Sequence, residues 1–355
     1  MPISSVRSRA YLTFFPGPVP ALARLVLGSA VVTLLAASPP AWAQAQTSTQ
    51  AAASDARLLF QRISSAARAS NYQGTMVFRA GDLISSSRVG HYVVGEQSYE
   101  SLEALDGKLQ RSFRHNDTVH TLWPQSRVAV IERREPLTAR ATTPQAVDPL
   151  ALTQYELRRE GLARVAGREA EVLWMEPRDE LRYAQRLWTD RATALMLRAD
   201  VMGPLTGGTR VMLESTAFSS VEIGVKAQPN EVLLPLERLD GYRVLRPQQR
   251  RTSLEAEGWT LARPVPGFQL AGALQRGMNS TGSAEPVLQA VFTDGLIHVS
   301  LFIEPVRPAQ VRSESQSLQG ARASLTQRKG EHWLTAVGEV PLATLKFFVA
   351  AVDRR

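Results

Sequence analysis

The sequence contains no cysteine, and this absence excludes several classes of site and anchor. The folded chain cannot be cross-linked by disulfides, so its stability has to come from a packed hydrophobic core. A metal held by cysteine thiolates is excluded. A lipoprotein anchor is excluded as well, since it needs a cysteine to carry its lipid.

Long apolar runs are also missing, because no stretch reaches the 18 residues that indicate a membrane-spanning helix. The longest run is Leu25–Ala37, which has 13 residues. Three arginines precede this run, no acidic residue comes before Asp55, and the small residues of Ala41-Trp42-Ala43 follow. This order is typical of an export signal, so we predict a signal peptide over residues 1–43 with cleavage near Ala43. A retained membrane anchor is the alternative interpretation.

The chain has only a small excess of positive charge, with a formal net charge of +8. Loss of three arginines with the signal would leave 38 basic residues against 33 acidic ones. The basic residues are mostly arginines scattered among acids, which is typical of a solvated surface. Attraction to anionic lipid head groups or to an acidic partner is the alternative. No nucleic-acid-binding motif is present.

Changes in composition and periodicity divide the mature chain into four segments. We predict a disordered leader over residues 44–54 because this stretch is rich in Ala, Gln, Ser and Thr. A large domain is predicted over 55–225 and a small α+β domain over 255–355. Several prolines and a Gln/Arg cluster indicate a connector over 226–254.

The predicted large domain consists of one helix followed by many strands. The helix should begin at Ser54 or Asp55, carry Leu59 and Ile63 on its buried face, and end near Ala69. From there the apolar period changes to two, and turn residues separate short strands. Asp106-Gly107 is typical of a two-residue hairpin turn. We therefore predict an α+β fold, mainly antiparallel β, in which a long meander curls around the helix.

The predicted small domain is an antiparallel sheet with one packed helix. Asp294-Gly295 should join Val287–Thr293 to Leu296–Ile303 through a two-residue turn. Pro341 should begin the last helix. Its apolar positions recur at helical spacing and predict the face that packs on the sheet: Leu342, Leu345, Val349 and Val352.

A search for catalytic motifs finds none, so we predict that the protein is not an enzyme. The five histidines show neither the H-E-x-x-H motif nor another helical zinc spacing. There is no G-x-S-x-G motif for a nucleophile elbow, and the glycine-rich segment Gly203–Gly208 lacks the Lys-Ser/Thr of a phosphate-binding loop. We predict no catalytic residue, no metal site and no cofactor.

The curled sheet offers the one candidate binding site that the sequence suggests. Such a sheet either fills its concave side with its own side chains or leaves a cavity for an apolar ligand, and the sequence leaves both possibilities open. The candidates for lining a lipid cavity are large apolar residues of the predicted strands: Met76, Phe78, Phe113, Trp123, Trp174 and Trp188.

Several short motifs, in this order along the chain, resemble those of the RseB/MucB family. They are Tyr72-Gln-Gly-Thr-Met-Val-Phe78, Ser101-Leu-Glu-Ala-Leu-Asp-Gly107, Arg182-Tyr-Ala-Gln-Arg-Leu-Trp-Thr-Asp190, Val291-Phe-Thr-Asp-Gly-Leu296, Ser300-Leu-Phe-Ile-Glu-Pro305 and Val337-Gly-Glu-Val-Pro341. Each motif alone is weak, but together they cover almost the whole mature chain.

The resemblance implies a periplasmic regulator of the sigma-E (AlgU-type) envelope-stress response. It implies a large domain shaped like the lipoprotein carriers LolA and LolB, which is an unclosed β-barrel, and a small C-terminal domain. The expected partner is the periplasmic domain of a membrane-spanning anti-sigma factor (RseA/MucA-like), which the protein would shield from a site-1 protease. Lipid or lipopolysaccharide fragments would release it, and it would bind no nucleic acid. A homo-oligomer is possible, and no residue that contacts the partner is predicted.

Two other functions remain as alternatives at this stage. A periplasmic lipid or lipoprotein carrier of the LolA/LolB type is the first, although such a carrier needs only the barrel. An exported hydrolase is the second, and the empty motif search argues against it.

Overall fold

The computed structural model describes residues 41–133, 151–277, 287–307 and 312–355. The helices are α1 (Ala41–Ala69), α2 (Ala151–Gln154), α3 (Pro229–Glu237) and α4 (Leu342–Ala351). The strands that form the large sheet are β1 (Tyr72–Ala80), β2 (Leu83–Val94), β3 (Gln97–Ala104), β4 (Arg111–His115), β5 (Thr118–Trp123), β6 (Val128–Arg133), β7 (Tyr155–Val165), β8 (Arg168–Pro177), β9 (Ala184–Asp190), β10 (Met196–Thr206), β11 (Thr209–Ile223) and β12 (Arg243–Leu245). The remaining strands are β13 (Gln249–Thr252), β14 (Trp259–Leu261), β15 (Gln269–Arg276), β16 (Val287–Thr293), β17 (His298–Pro305), β18 (Ser315–Gln319), β19 (Arg322–Lys329), β20 (His332–Gly338) and β21 (Val352–Arg354).

The large sheet is unclosed and almost entirely antiparallel. Its strand order is β12-β6-β5-β4-β3-β2-β1-β11-β10-β9-β8-β7, so the two edges are β12 and β7. Most neighbours in this order are also neighbours in sequence, which is the meander that the alternating pattern predicted. Two pairs join strands that are distant in sequence: β1 pairs with β11 in antiparallel fashion, and β12 pairs with β6 in parallel. The predicted fold class of a large unclosed antiparallel sheet is confirmed.

Helix α1 packs on the β7–β10 half of the large sheet. Leu59, Phe60 and Ile63 are buried and contact Leu173 and Leu187 of the sheet. This confirms the predicted apolar face of the helix. The helix begins at Ala41 instead of near Ser54, so the prediction of a disordered leader over residues 44–54 differs from the structure. Alanine and glutamine, which dominate that stretch, have high helix propensity and extend the helix.

The predicted signal peptide, residues 1–43, lies outside the described residues except for its last three positions. Three prolines between Pro136 and Leu152 predict a loop, and this segment also lies mostly outside the described residues.

The small sheet carries α4 on one face, as predicted. Its strand order is β13-β15-β16-β17-β20-β19-β18, and all its pairs are antiparallel. Leu345 and Val349 are buried in its core and Leu342 packs against it, which confirms these three positions of the apolar stripe. Val352 is buried too, but it is the first residue of β21 and not part of the helix. After α4 the chain ends in β21, which pairs with β14 and fixes the C-terminus to the core.

Both predicted hairpins form, but their turns are longer than two residues, because the second strand of each begins later than predicted. Strand β3 ends at Ala104 and β4 begins at Arg111, and the side chain of Asp106 accepts a hydrogen bond from the Ser86 amide. Strand β16 ends at Thr293 and β17 begins at His298. There the Asp294 carboxylate accepts hydrogen bonds of 2.9 Å from the amides of Leu296 and Ile297. In both loops an aspartate side chain replaces strand pairing as the acceptor for the backbone.

The predicted connector contains a helix that we did not predict. Residues 229–237 form α3 although Pro235 lies inside it, and we had interpreted the prolines there as signs of irregular structure. The missed signal was Pro229, since proline at the first helical turn is favourable. The chain then continues through β12 of the large sheet directly into β13 of the small one.

Asp190 stabilises the tight turn between β9 and β10, and its replacement should cost stability at neutral pH. Its carboxylate accepts hydrogen bonds of 2.8 Å from both the amide and the hydroxyl of Thr193, and one of 2.6 Å from Arg168 Nε. Burial alone would raise the pKa of Asp190, but these bonds outweigh it and lower the pKa below its ordinary 3.8. Asp190→Asn should therefore lower the free energy of unfolding by about 1–3 kcal/mol at pH 7.

The effect of this replacement should depend on pH in one direction. Because the folded pKa of Asp190 is lowered, its contribution is complete above the unfolded pKa and disappears as pH falls through the folded value. Urea unfolding of the wild type and of Asp190→Asn at pH 7 and at pH 3 measures this. The difference should shrink at pH 3, and a difference that grew in acid would contradict this role of the carboxylate.

Candidate functional site

An apolar patch of the large sheet lies beneath helix α3, and we call it the floor. It consists of five buried residues: Tyr92, Tyr99, Phe113, Leu122 and Ala129. Each comes from a different one of the neighbouring strands β2 to β6, and the strand pairings place all five on one face. With strands spaced about 4.8 Å apart, the floor extends about 19 Å across the sheet.

Helix α3 covers the floor through one fully buried side chain, two partly buried leucines, Leu233 and Leu236, and one polar contact. Val232 is 0% exposed and packs in the same apolar cluster. The Tyr92 hydroxyl donates a hydrogen bond of 2.8 Å to Oε2 of Glu231. Burial, together with the hydrogen bond and charge of Glu231, raises the pKa of Tyr92 above its ordinary value. The hydroxyl therefore keeps its proton and remains a donor. Gly90 leaves space for it, since a Cβ there would lie 3.1 Å from the hydroxyl oxygen.

The intrinsic stability of α3 is low. The helix has nine residues, and neither end has a side-chain capping hydrogen bond or a glycine cap. Pro235 removes one backbone donor from its interior. Isolated helices of this length are marginal in water, so α3 depends on its contacts with the floor.

One end of the floor combines a neutral histidine with an accessible positive charge. His120 pairs with Phe113 across β4 and β5, and its Nδ1 is buried without a hydrogen-bond partner in the described part of the chain. Burial, and then the charge of Arg246, lower the pKa of His120, so its ring is neutral at neutral pH. Arg246 is exposed, directly follows β12, and forms no ion pair with any described residue.

A second feature joins the two sheets, and we call it the seam. Residues from Ala45 to Arg355 form one compact unit, and a buried ion pair lies where the sheets meet. The side chains of Arg182 and Asp294 are both 0% exposed, with Nη1 of Arg182 3.5 Å from Oδ2 of Asp294. The Tyr155 hydroxyl donates to the same Oδ2 at 3.2 Å. Arg182 also donates to the carbonyl of Pro266 at 2.9 Å, so this one side chain reaches both sheets.

The electrostatics of the seam follow from its burial. Burial raises the pKa of Asp294, while the amides of Ile297 and Leu296, the charge of Arg182 and the Tyr155 hydroxyl oppose the rise. Burial also raises the pKa of Tyr155 well above its ordinary value. Removing charged groups from water is costly unless they are paired and hydrogen-bonded. Here the two charges are paired, Asp294 accepts three hydrogen bonds, and Arg182 donates to Gln154 and Pro266, while its Nε has no hydrogen-bond partner among the described residues.

Further contacts extend the seam on both sides of the ion pair. The Thr344 hydroxyl of α4 donates to the carbonyl of Leu181 at 2.8 Å. Leu296 packs against the apolar cores of both sheets. At another point Arg276 of β15 lies 2.9 Å from Glu132 of β6. The two sheets are therefore fixed to each other by polar and apolar contacts, and not only by the chain between them.

The residues predicted to line a lipid cavity do not form one group. Phe113 lies on the floor, whereas Trp123 follows Leu122 in β5 and points to the other face. Met76 and Trp188 belong to a different apolar cluster.

The remaining two candidates, Phe78 and Trp174, are partly exposed. Trp174 follows Leu173, which packs against α1, so the tryptophan points away from that helix. Its Nε1 donates to Glu176 at 2.9 Å. Sequence alternation identified apolar strand positions, but it did not show which face or which helix each would meet.

No cluster of three or more His, Asp or Glu with metal-binding geometry occurs in residues 41–133, 151–277, 287–307 and 312–355. Within the same ranges no helix combines the length and apolar character needed to cross a bilayer.

Sequence reasoning missed the seam residues. Arg182 and Asp294 are ordinary charged residues in sequence, and Tyr155 and Asp294 are 139 positions apart. The available signal was Asp294-Gly295 itself, which we interpreted as turn chemistry alone.

Comparison with protein families gives two matches that together cover most of the chain. The MucB/RseB N-terminal domain matches residues 55–235, and the MucB/RseB C-terminal domain matches residues 253–353.

Curated relatives include the sigma factor AlgU regulatory protein MucB of Pseudomonas aeruginosa. It is 29% identical over 298 residues, which is 82% of this chain and 89% of the relative. The sigma-E factor regulatory protein RseB of Haemophilus influenzae is 25% identical over 289 residues, covering 80% of this chain and 87% of the relative.

Solved structures show the same similarity in three dimensions. The crystal structure of MucB in complex with MucA(peri) matches with a TM-score of 0.61 and 26% identity, covering 85% of this chain and 99% of that one. The Pseudomonas aeruginosa MucA/MucB complex matches with a TM-score of 0.62, 26% identity and the same coverage.

Proposed function

Because the chain belongs to the MucB/RseB family, we propose that it binds the periplasmic region of a membrane-spanning anti-sigma factor and so restrains a sigma-E-type stress response. The observation that carries this proposal is the match over both sheets to MucB in its complex with MucA(peri). Both curated relatives are named as sigma-factor regulatory proteins.

The proposed place of action is the periplasm. The N-terminal 43 residues have the charge, apolar run and small-residue motif of an export signal. The absence of cysteine from the sequence excludes a lipid anchor. After cleavage the protein would diffuse between a membrane-bound partner and a lipid signal.

The proposed mechanism of restraint is steric shielding of the site-1 cleavage segment. A protease needs an accessible extended segment, so occluding that segment requires contact surface and affinity and no catalytic group. The cleavage rate then falls in proportion to the unbound fraction of the anti-sigma factor.

Lipid or lipopolysaccharide fragments are the proposed release signal. A ligand releases a partner only if it binds the partner-free state more tightly than the bound state. The apolar clusters of the large sheet are the candidate lipid site, with Phe113 on the floor and Met76 and Trp188 in the neighbouring cluster.

A protease-protection assay tests the shielding step. The periplasmic region of the cognate anti-sigma factor is digested by its site-1 protease with and without the mature protein. At a protein concentration ten times the Kd, cleavage should slow by about 10-fold. A general protease substrate without affinity for this protein is the control, and its cleavage should not change.

Two outcomes would contradict the proposal. Cleavage at the full rate despite saturating, measured binding would refute shielding. Failure to bind the anti-sigma fragment, together with transfer of a lipoprotein to acceptor vesicles, would favour the carrier function instead.

A further inference from the structure

We propose that helix α3 occupies a binding site for the acyl chain of an anionic amphiphile, and that the ligand displaces the helix from the floor. This inference rests on the proposed lipid release and gives it a site and a moving part.

The chemistry of the floor suits an acyl chain. Its five residues are apolar or aromatic and lie on one face, and the ring of His120 beside them is neutral. Among the described residues, one hydrogen bond joins the floor to a side chain of α3, and its donor is the Tyr92 hydroxyl, which can turn to another acceptor when Glu231 leaves. A surface about 19 Å across, lined in this way, accommodates an extended chain and offers few partners to a polar peptide backbone.

The charge near the floor favours an anionic head group. Arg246 directly follows β12, is within electrostatic range of His120, and has no carboxylate partner among the residues described. Several arginines of the large sheet are paired with carboxylates, as Arg111 is with Glu103 at 2.9 Å and Arg198 with Asp200 at 2.6 Å. Arg243 of the edge strand β12, which is exposed and three residues before Arg246, adds positive charge on the same side of the floor. The guanidinium of Arg246 is therefore available to pair with an acidic head group.

Helix α3 has the features of a displaceable cover. Val232 is its one fully buried side chain, Leu233 and Leu236 are only partly buried against the floor, and one hydrogen bond joins Glu231 to Tyr92. Neither end is capped by a side chain, and Pro235 weakens the interior. Local structure with few buried contacts opens at a low free-energy cost, so a ligand for the floor can compete with α3.

Displacement of α3 would act directly on the covalent path between the sheets. The helix ends at Glu237, β12 ends at Leu245 in the large sheet, and β13 begins at Gln249 in the small sheet. Val232, Leu239 and Val244 pack in the same cluster as the floor. A ligand that displaces α3 therefore loosens the segment that leads into the small sheet. This would couple ligand binding at the floor to the arrangement of the two sheets.

The absence of native cysteine makes a single-cysteine test possible. In Val232→Cys the thiol should be protected from alkylation while α3 covers the floor. Dodecanoate below its micelle concentration should accelerate alkylation by at least about 10-fold, because the reaction follows the open fraction of α3. Hexanoate has the same head group with a short chain and should have little effect. Dodecyltrimethylammonium has the same chain with the opposite charge and should act more weakly than dodecanoate.

Two matched variants control for unfolding and for thiol chemistry. Val299→Cys places the thiol in the core of the small sheet, where the side chain is also 0% exposed, and it should stay protected. Leu234→Cys places it on the exposed side of α3 and should react quickly with or without lipid. Exposure of the thiols at 232 and 299 together would mean general unfolding and would overturn the proposal.

The same samples, with the anti-sigma fragment bound, separate this proposal from the proposed function. Release of the fragment by dodecanoate while the thiol at 232 stays protected would overturn the α3 site and leave lipid release standing. Exposure of the thiol while the fragment stays bound would support the site and refute release through it. Exposure by the anti-sigma fragment and not by dodecanoate would show that the floor is a peptide site, and our proposal would be wrong.

Discussion

Replacing Asp294 by alanine should lower the free energy of unfolding by about 3 kcal/mol, because it removes one half of a buried ion pair. The Arg182 side chain is 0% exposed and cannot lose its charge by deprotonation. Without Asp294 it would keep Asp179, whose Oδ1 lies 3.2 Å from its Nε, as its one carboxylate partner. The Tyr155 hydroxyl and the amides of Leu296 and Ile297 would lose their acceptor as well.

Replacing Arg182 instead should lower the free energy of unfolding by less than replacing Asp294, so the two variants distinguish the roles of the two partners. In Arg182→Met the apolar stem is retained beside Phe268, while the carboxyl group of Asp294 is left without its cation. A carboxyl group can take up a proton, and burial already raises the pKa of Asp294. Since the neutral acid needs no counter-ion, we expect about half the loss that Asp294→Ala produces. Urea unfolding of both single variants and of the double variant gives the coupling energy.

Glu331→Ala is the matched control for Asp294→Ala. It removes a carboxylate that pairs with Arg328 at 3.4 Å, but both side chains are more than half exposed. Exposed pairs contribute little, so the change should stay below about 0.5 kcal/mol. An equal loss in Glu331→Ala and Asp294→Ala would show that burial does not determine the strength of the seam.

The sequence predicted the elements of the fold better than the contacts between them. Leu59 and Ile63 of α1, and Leu345 and Val349 of α4, were predicted as buried faces because helical periodicity is a local property. Helix α3 was not predicted, because Pro235 is unfavourable inside a helix. The contact of Val232 with the floor stabilises the helix, and this contact is not visible in the local sequence.

The same limit explains the outcome at the candidate site. Phe113 was predicted as a cavity residue from strand alternation and lies on the floor, but Trp174 and Trp123 point to other faces. Which helix covers which face depends on tertiary packing, and alternation carries no information about it. Arg182 and Asp294 meet only because the two sheets dock.

Replacing Gly320 by alanine should lower the free energy of unfolding by about 3 kcal/mol. Most of this loss should come from a clash at a further point of the seam, where the turn between β18 and β19 meets β1 and β11 of the large sheet. Gly320 has a φ of +60° in the turn between β18 and β19, and a Cβ there would lie 2.8 Å from Cβ of Ala80 and 2.7 Å from Cγ of Glu214. Ala80 belongs to β1, so its Cβ cannot move without the strand. Overpacking of this kind costs about 1–3 kcal/mol, in addition to about 1 kcal/mol for a left-handed alanine.

Gly330→Ala isolates the contribution of the seam, because Gly330 has the same φ of +60° at the other end of β19 and no atom within 4 Å of its Cβ position. It should lose only the backbone part, about 1 kcal/mol. Partner binding is measured for both variants by calorimetry as the Kd for the anti-sigma periplasmic region. If binding depends on how the two sheets are docked, Gly320→Ala should change this Kd by at least about 10-fold. Gly330→Ala should leave it unchanged. Equal effects of the two alanines on the Kd would mean that binding is independent of the seam. Lipid binding at the floor would then affect partner binding through another part of the molecule.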